Sequence, residues 1–321
     1  MNQHDVVAVA SRSFSNNDFL VSELKKLYSN VFLNKTGKTL TGDELINFLE
    51  RANKAIIGIE RISDTVIANL PNLRVISKYG VGLNNLDLKL LKKKNIRLGF
   101  TPGVNKQSVA ELALTHIFIG LKRIHENNID ILNGNWSQEK GMELYGKTVG
   151  ILGFGNIGQK LASLIQPFDC NILFFDKRDF SNHDIQSLSM ELNLNSETIK
   201  QSTLETLLLK SDILSIHLPL ISETKNIISS KELAKLKTNI CIVNTARGGI
   251  VDEDELYVFL QANPKAFAGF DVFNKEPAFQ NPLLELPNFF GTSHRSSLTA
   301  EGINSMGIAA INGLDDNIYI K

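Results

Sequence analysis

The sequence predicts an α/β protein built from two doubly wound parallel sheets, and three observations carry that expectation. Short β-rich runs alternate with helical patterns along nearly the whole chain, which is the wiring of parallel sheets. One apolar run, in Lys147-Thr148-Val149-Gly150-Ile151-Leu152-Gly153-Phe154-Gly155-Asn156-Ile157-Gly158, ends in three glycines spaced G-x-G-x-x-G at a helix start. At 321 residues the chain is long enough for two cores rather than one.

Taken in order, Val6 to Ala10 reads as a strand, Asn17 to Tyr28 as a helix and Val31 to Leu33 as a strand. A helix from Thr41 follows, because Thr41-Gly42-Asp43-Glu44 has the form of a capping box and Leu45, Ile46, Phe48 and Leu49 supply a buried face. Ala55 to Ile59 is the next strand, Ser63 caps a helix to Leu70, and Arg74 to Tyr79 is a strand running into Gly80-Val81-Gly82. Asp87 to Lys94 is a helix and Ile96 to Phe100 a strand, after which Thr101-Pro102-Gly103 marks a crossover between domains. Val109, Leu112, Ala113, Ile117, Leu121 and Ile124 recur at helical spacing, so one long amphipathic helix is expected to end near Gly134. His116 lies on its apolar stripe and reads as a packed histidine rather than a ligand. Beyond the glycines, Asn171 to Phe175 is a strand, and Asp179 to Gln201 is loop and helix. The strand series closes with Ile213 to Leu218, Ile240 to Asn244, Lys265 to Val272 and Asn288 to Thr292, with helices from Ser230 and Asp252 between. Thr299 to Gly313 is a final helix that returns to the first domain.

Composition narrows the function classes. Thirty-four basic residues balance thirty-four acidic ones, so no net field favours nucleic acid or an anionic membrane. The N-terminus has no signal-peptide core, and no segment is long enough to span a bilayer, so the cytoplasm is expected. Cys170 and Cys241 sit in or beside apolar runs and form no C-x-x-C, which reads as buried reduced thiols and no metal site.

The glycines say what binds. Gly153 permits a tight turn, Gly155 lets backbone approach a pyrophosphate, and Gly158 allows close helix-strand packing, so the helix start can hold a dinucleotide. Asp176 ends the following strand about twenty residues on, where a ribose-binding carboxylate belongs, and its charge favours NAD over a 2′-phosphorylated cofactor. Lys177-Arg178 beside it reads as a solvated loop pair.

In open parallel sheets ligands bind outside the carboxyl ends of the strands. His217, Arg247, Asp271, Glu276 and His294 all follow strands there. An arginine that forks onto a carboxylate, a histidine that moves a hydroxyl proton and a glutamate that orients it suit hydride transfer on an oxo acid. From the residues alone, His217 and His294 are equal candidates for the acid–base. His4, His125 and His183 stand in polar contexts and read as solvated.

These stretches resemble the D-isomer-specific 2-hydroxyacid dehydrogenases, particularly the phosphoglycerate-dehydrogenase-like branch. The resemblance lies in Lys147 to Gly158, Asn244 to Glu253, Gly269-Phe270-Asp271-Val272-Phe273, Glu276-Pro277 and Thr292-Ser293-His294. In the first domain it extends to Lys78 to Gly82, Thr101 to Asn105 and Ser108 to Glu111. It implies a Rossmann NAD-binding domain over 102–295 inserted into a flavodoxin-like substrate domain made of 1–101 and 296–321. Arg247 is then the substrate-binding arginine, His294 the acid–base and Glu276 the carboxylate partner of that histidine. The resemblance places Gly153, Gly155, Asn156, Ile157, Gly158, Asp176, His217, Ala246 and Asp271 against NAD, with Asp271 near the nicotinamide carboxamide and His217 near the phosphates. Tyr79, Gly80, Val81 and Gly82 match the loop that holds the substrate carboxylate, and the helix after Asn105 matches one that packs between subunits in family homodimers.

Three departures stand out: Ser293 where proline usually precedes the histidine, Arg295-Ser296-Ser297 in place of a small turn after it, and Asn84 where aspartate is common. The regulatory domain of many phosphoglycerate dehydrogenases is expected to be missing. The leading expectation is NAD-dependent interconversion of a D-2-hydroxy acid and a 2-oxo acid, with D-3-phosphoglycerate the first specific guess and hydroxypyruvate or glyoxylate reduction the alternative. Arg61, Lys78, Tyr79 and Arg295 are the candidates to read the remote end of the substrate. A rival of another class is an NAD-sensing transcriptional corepressor on the same fold.

Overall fold

Every strand pairing is parallel, and the strands form two sheets in two units of the chain. The structure, a computed structural model, describes residues 2–320. The first unit comprises Met1–Asn105 and Leu298–Lys321, the second Lys106–Ser297.

In the first unit the strands are β1 (Asn2–Val9), β2 (Tyr28–Leu33), β3 (Lys54–Ile57), β4 (Val75–Lys78) and β5 (Arg97–Gly99), in the order β2-β1-β3-β4-β5. That is the flavodoxin-like order. Alternation along the strands explains why both faces are covered. Val7, Val9 and Ile56 pack with Phe14, Leu20, Leu24, Ala310 and Ile311 on one side, while Ala8, Ala10, Ala55 and Ile57 pack with Leu45, Leu49, Ile76 and Leu98 on the other. The closing helix, Ala300–Asn312, belongs to this unit and accepts a 2.6 Å hydrogen bond from Ser77 Oγ at the Ala310 carbonyl. The capping box expected at Thr41 does not form. Thr41 is the N-cap of Gly42–Leu49, but its side chain makes no cap bond, because the chain enters the helix through Gly42 at φ +50°, off the helical path that would aim the hydroxyl at the Glu44 amide.

The second sheet comprises β6 (Thr148–Leu152), β7 (Asn171–Phe175), β8 (Ile199–Gln201), β9 (Ile213–Ile216), β10 (Cys241–Asn244), β11 (Phe267–Phe270) and β12 (Phe289–Gly291). Its order, β12-β11-β10-β9-β6-β7-β8, runs outward in both directions from the β6/β9 pair. The chain leaves these two neighbours toward opposite sides, and a crevice opens at their carboxyl ends. The segment 179–201 resolves into a helix, Asn182–Leu192, with a Ser181–Asp184 capping box, and β8. Both cysteines are unpaired and buried, and burial pushes the Cys170 thiol up to about 11.

The single long helix expected after Asn105 is two helices, Lys106–Leu121 and Ile124–Leu132. Arg123 breaks it at φ +52°, with its guanidinium 3.2 Å from Glu139 and 3.7 Å from Glu126. The first helix is apolar around most of its circumference because Ala110, Ala113, Ile117 and Leu121 pack into the core of the second unit while Val109 and Gly120 are buried as well. His116 on it is fully buried, and among the described residues neither ring nitrogen completes a hydrogen bond, the Gly269 backbone being its polar neighbour. Its ring meets Phe290 edge-on at 5.4 Å. His125, expected to be solvated, is half-buried, its ring 5.2 Å from the same Phe290, because Ile124–Leu132 runs back past β12.

Among the described residues no helix is long and apolar enough to cross a membrane.

Burial lowers the His116 pKa. The unfolded chain therefore takes up a proton below about 6.5 that the folded chain resists, and stability falls as pH falls through that value. His116→Leu is expected to match or exceed wild-type stability at pH 8, by up to about 1 kcal/mol, since it removes unpaired buried polar atoms. It should also flatten the acid-side loss between about pH 7 and 5, as read by urea unfolding at each pH. An unchanged pH dependence would show that this ring is not responsible.

Candidate active site

The glycine turn sits where the sheet order reverses. Gly153, just past β6, has φ +98°, a region closed to most side chains, and a Cβ there would lie 2.7 Å from the His217 carbonyl oxygen at the end of β9. A Cβ on Gly158 would lie 2.3 Å from the Gly153 carbonyl oxygen, so the helix Asn156–Ile165 can approach the turn only without one. Gly155 differs: its Cβ direction is open, with nothing within 4 Å. The helix it caps has no side-chain cap and no acidic residue in its first turn. Free amides at a helix start beside open space fit a pyrophosphate.

Asp176, at the end of β7, accepts from Phe154 N at 2.9 Å and from Arg178 N and Nε at 3.0 Å each. Burial alone would raise its pKa, but the Arg178 side chain and the two backbone N–H groups outweigh that and hold it below the usual carboxylate range. Arg178 is solvent-exposed, as the sequence suggested, and at the same time paired with Asp176. Its guanidinium also donates to the Phe154 carbonyl at 3.0 Å and lies 5.0 Å from the Phe180 ring. The carboxylate an NAD ribose requires is present at the end of β7 and bonded to the glycine turn through Phe154 N, so the residues fit that cofactor.

His217 Nε2 pairs with Ser215 Oγ at 2.8 Å, while its Nδ1 is buried with no partner. Burial pushes its pKa down to about 3. Such a ring stays neutral through the working pH range, a poor proton donor.

Three other strand ends carry the remaining groups of the second unit. After β10, Asn244 braces the turn that presents Arg247: Ala246 N donates to Asn244 Oδ1 at 3.0 Å, and Asn244 Nδ2 donates to the Arg247 carbonyl at 3.0 Å. Arg247 Nη1 donates to the Ala246 carbonyl at 2.6 Å. Burial lowers the guanidinium's pKa and the charge of Glu276 opposes that, which places the two side chains in one electrostatic neighbourhood. Gly248 makes the approach possible, since a Cβ there would lie 2.0 Å from the Phe273 carbonyl group. Glu276 accepts from Phe273 N through Oε1 at 3.1 Å, and its Oε2 lies 2.8 Å from His294 Nδ1. A carboxylate accepts there, so Nδ1 carries the proton and Nε2 is left for chemistry. Both side chains are part-exposed, His294 at 48% and Glu276 at 38%, so a substrate can reach them.

Asp271, past β11, is fully buried. Its Oδ1 accepts from Thr292 Oγ1 at 2.6 Å and Arg295 N at 2.8 Å, and its Oδ2 from Ser296 N at 2.8 Å. Its own carbonyl accepts from His294 N at 2.8 Å. His294 sits at φ +50°, an uncommon conformation for a residue with a side chain, and Asp271 grips the chain on either side of it. This wiring around the histidine turn was not legible in the sequence, which spoke only for a position near the cofactor.

Tyr79, Gly80, Val81 and Gly82 belong to the first unit, past the end of β4. Tyr79 N donates to the Ile57 carbonyl at 2.9 Å, its ring meets Phe14 edge-on at 5.4 Å, and Gly80 has φ +119°. Lys78 is buried, its Nζ donating to the Gly58 carbonyl and, at 3.0 Å, to Asn85 Oδ1.

The model of the D-isomer specific 2-hydroxyacid dehydrogenase NAD binding domain matches residues 114–296. Hydroxypyruvate reductase of Thermotoga maritima is 34% identical over 302 residues, which cover 92% of this chain and 94% of that protein. D-3-phosphoglycerate dehydrogenase of Methanocaldococcus jannaschii is 32% identical over 271 residues, covering 84% of this chain but 50% of that protein. A solved chain from Polaromonas sp., assigned to the same NAD-binding family, superposes with a TM-score of 0.85 at 26% identity, covering 98% of this chain and 99% of its own.

Proposed function

Because the chain belongs to the D-isomer-specific 2-hydroxyacid dehydrogenase family, we propose that it reduces a small unphosphorylated 2-oxo acid, of the hydroxypyruvate or glyoxylate kind, with NADH. The enzyme class itself is that of the family, an NAD-dependent oxidoreductase acting on a CH–OH group. The observation that carries the reading is the 2.8 Å contact of His294 Nδ1 with Glu276, in the electrostatic neighbourhood of Arg247.

The Gly153–Gly158 turn, Asn156, Ile157 and Asp176 would hold NAD(H), with Ala246, His217 and Asp271 alongside, and the bound cofactor would supply the hydride chemistry at the carbon bearing the oxygen. Arg247 forks onto the substrate carboxylate and the neighbouring oxygen. His294 Nε2 gives its proton to that oxygen during reduction and takes it back during oxidation, while Glu276 fixes the tautomer. The substrate carboxylate is assigned to the backbone of Tyr79, Gly80, Val81 and Gly82.

Two observations favour the unphosphorylated substrate over D-3-phosphoglycerate. Lys78 is already committed to Gly58 and Asn85 and is buried, which removes one of the cations that would read a phosphate. The hydroxypyruvate reductase relative is 34% identical over 92% of this chain, against 32% over 84% for the phosphoglycerate dehydrogenase relative. NADH oxidation against glyoxylate, hydroxypyruvate and 3-phosphohydroxypyruvate should give kcat/KM at least tenfold higher for one of the first two, with NADPH the poorer donor. A preference for the phosphorylated acid would restore the other branch, and tight NADH binding without turnover of any acid would favour the corepressor reading.

The acid–base assignment has a directional test. Reduction needs the charged ring, so its rate should fall as pH rises, while oxidation should rise over the same interval. Glu276→Gln removes the acceptor that fixes the His294 tautomer and should lower kcat on the order of 10²-fold. His294→Ala should lower kcat on the order of 10²–10⁴-fold. Near-normal turnover in His294→Ala with its loss in His217→Ala would reverse the two histidines.

The proposal includes a cytoplasmic homodimer built on residues 105–134. The helix Ile124–Leu132 buries no residue in the single chain, and Leu132 and Trp136 are 77% and 82% exposed. So much apolar surface together is characteristic of a subunit contact. Sedimentation at micromolar concentration should give a dimer, and a monomer would remove this part of the proposal.

A further inference from the structure

Glu253 opens the helix Glu253–Ala262 just after its N-cap, Asp252, whose Oδ1 accepts from Glu255 N at 3.3 Å. A carboxylate in the first turn ordinarily faces water and gains from the helix dipole. This one turns away from its own helix. Oε1 accepts from Asn274 N at 2.5 Å and Oε2 from Asn281 Nδ2 at 2.7 Å, partners 21 and 28 residues further along the chain. Asn281 in turn caps the next short helix, accepting from Leu283 N at 3.0 Å. The two oxygens therefore hold both ends of one loop, 274–281, and Glu276 lies inside it.

We propose that Glu253 is a positioning residue: by tying Asn274 to Asn281 it sets the loop so that the Glu276 carboxylate meets His294 Nδ1. The inference rests on the acid–base reading of that pair given above. Within the loop Glu276 has only one other anchor, Phe273 N at 3.1 Å, and its side chain is part-exposed. With the loop ends free, a carboxylate on so short a tether moves by more than the tolerance of a hydrogen bond, and an error of about 1 Å at such a group costs up to 10²-fold in rate.

The energetics point the same way. Burial raises the Glu253 pKa, the hydrogen bonds from Asn274 and Asn281 lower it, and the charges of Asp254 and Asp252 raise it again. The two hydrogen bonds that hold the loop ends are also the ones that favour the charged carboxylate. The charged groups beside the pair include Arg247 and the chain neighbours Lys275 and Arg295, with Asp271 behind the histidine turn. The Glu253 carboxylate bonds to none of these side chains.

The test compares kcat and KM of wild type, Glu276→Gln, Glu253→Gln, Glu253→Asp and the double variant Glu253→Gln/Glu276→Gln, with thermal unfolding of each. Glu253→Gln should lower kcat on the order of tenfold, with KM for NADH within about twofold of wild type. Glu253→Asp keeps the charge but shortens the reach, and should lower kcat too, which covers a failure of the glutamine variant to fold. In the double variant kcat should stand where Glu276→Gln alone puts it. If Glu276→Gln lowers kcat and neither Glu253 variant does, or if the losses multiply, the positioning role is overturned and the acid–base reading stands. If Glu276→Gln itself leaves kcat unchanged, both fall.

Discussion

The reversal of strand order at β6 and β9 is the constraint on which the second unit depends. Two parallel neighbours send the chain to opposite sides, so the space past their carboxyl ends cannot be filled by either crossover. The polar groups of the candidate site in this unit are arranged around that fact. The turn at Gly153 lies over one strand and the His217 carbonyl over the other, so close that a methyl group between them has no room. Neighbouring strands then deliver Asp176 on one flank and Arg247, Asp271 and His294 on the other, in the order the topology dictates.

How much of this the sequence carried depends on the range of the interaction. Strand ends and the glycine turn are local patterns of apolar runs, spacing and breakers, and the two parallel sheets follow from their alternation. Local signals failed where a single backbone angle decided the outcome. The Thr41 capping box has the right residues but enters through a left-handed Gly42, and the apolar periodicity from Val109 to Ile124 continues through Arg123 although the helix does not. A periodicity argument counts side chains and is blind to an arginine held by two glutamates in a left-handed turn.

The wiring of the candidate site was illegible for another reason. The bonds from Glu253 and Asp271 go mostly to backbone amides far along the chain, and an amide has the same chemistry whatever residue owns it. Nothing in the identity of Asn274, Arg295 or Ser296 announces that a carboxylate will claim its N–H. Arg178 shows the converse case. Its identity suggested a loop charge, and only geometry reveals a guanidinium wrapped onto Asp176 and against Phe180.

Because Asp271 takes hold of the histidine turn by main-chain N–H groups, it places few demands on the side chains there. Ser296 is buried and must remain small, but Arg295 projects outward and Ser293 is exposed. The turn can therefore accept Ser293 and Arg295-Ser296-Ser297 without displacing His294. Positions 293 and 295 are places where lineages, or a randomised library, can explore new side chains beside the histidine while the scaffold that presents it stays the same.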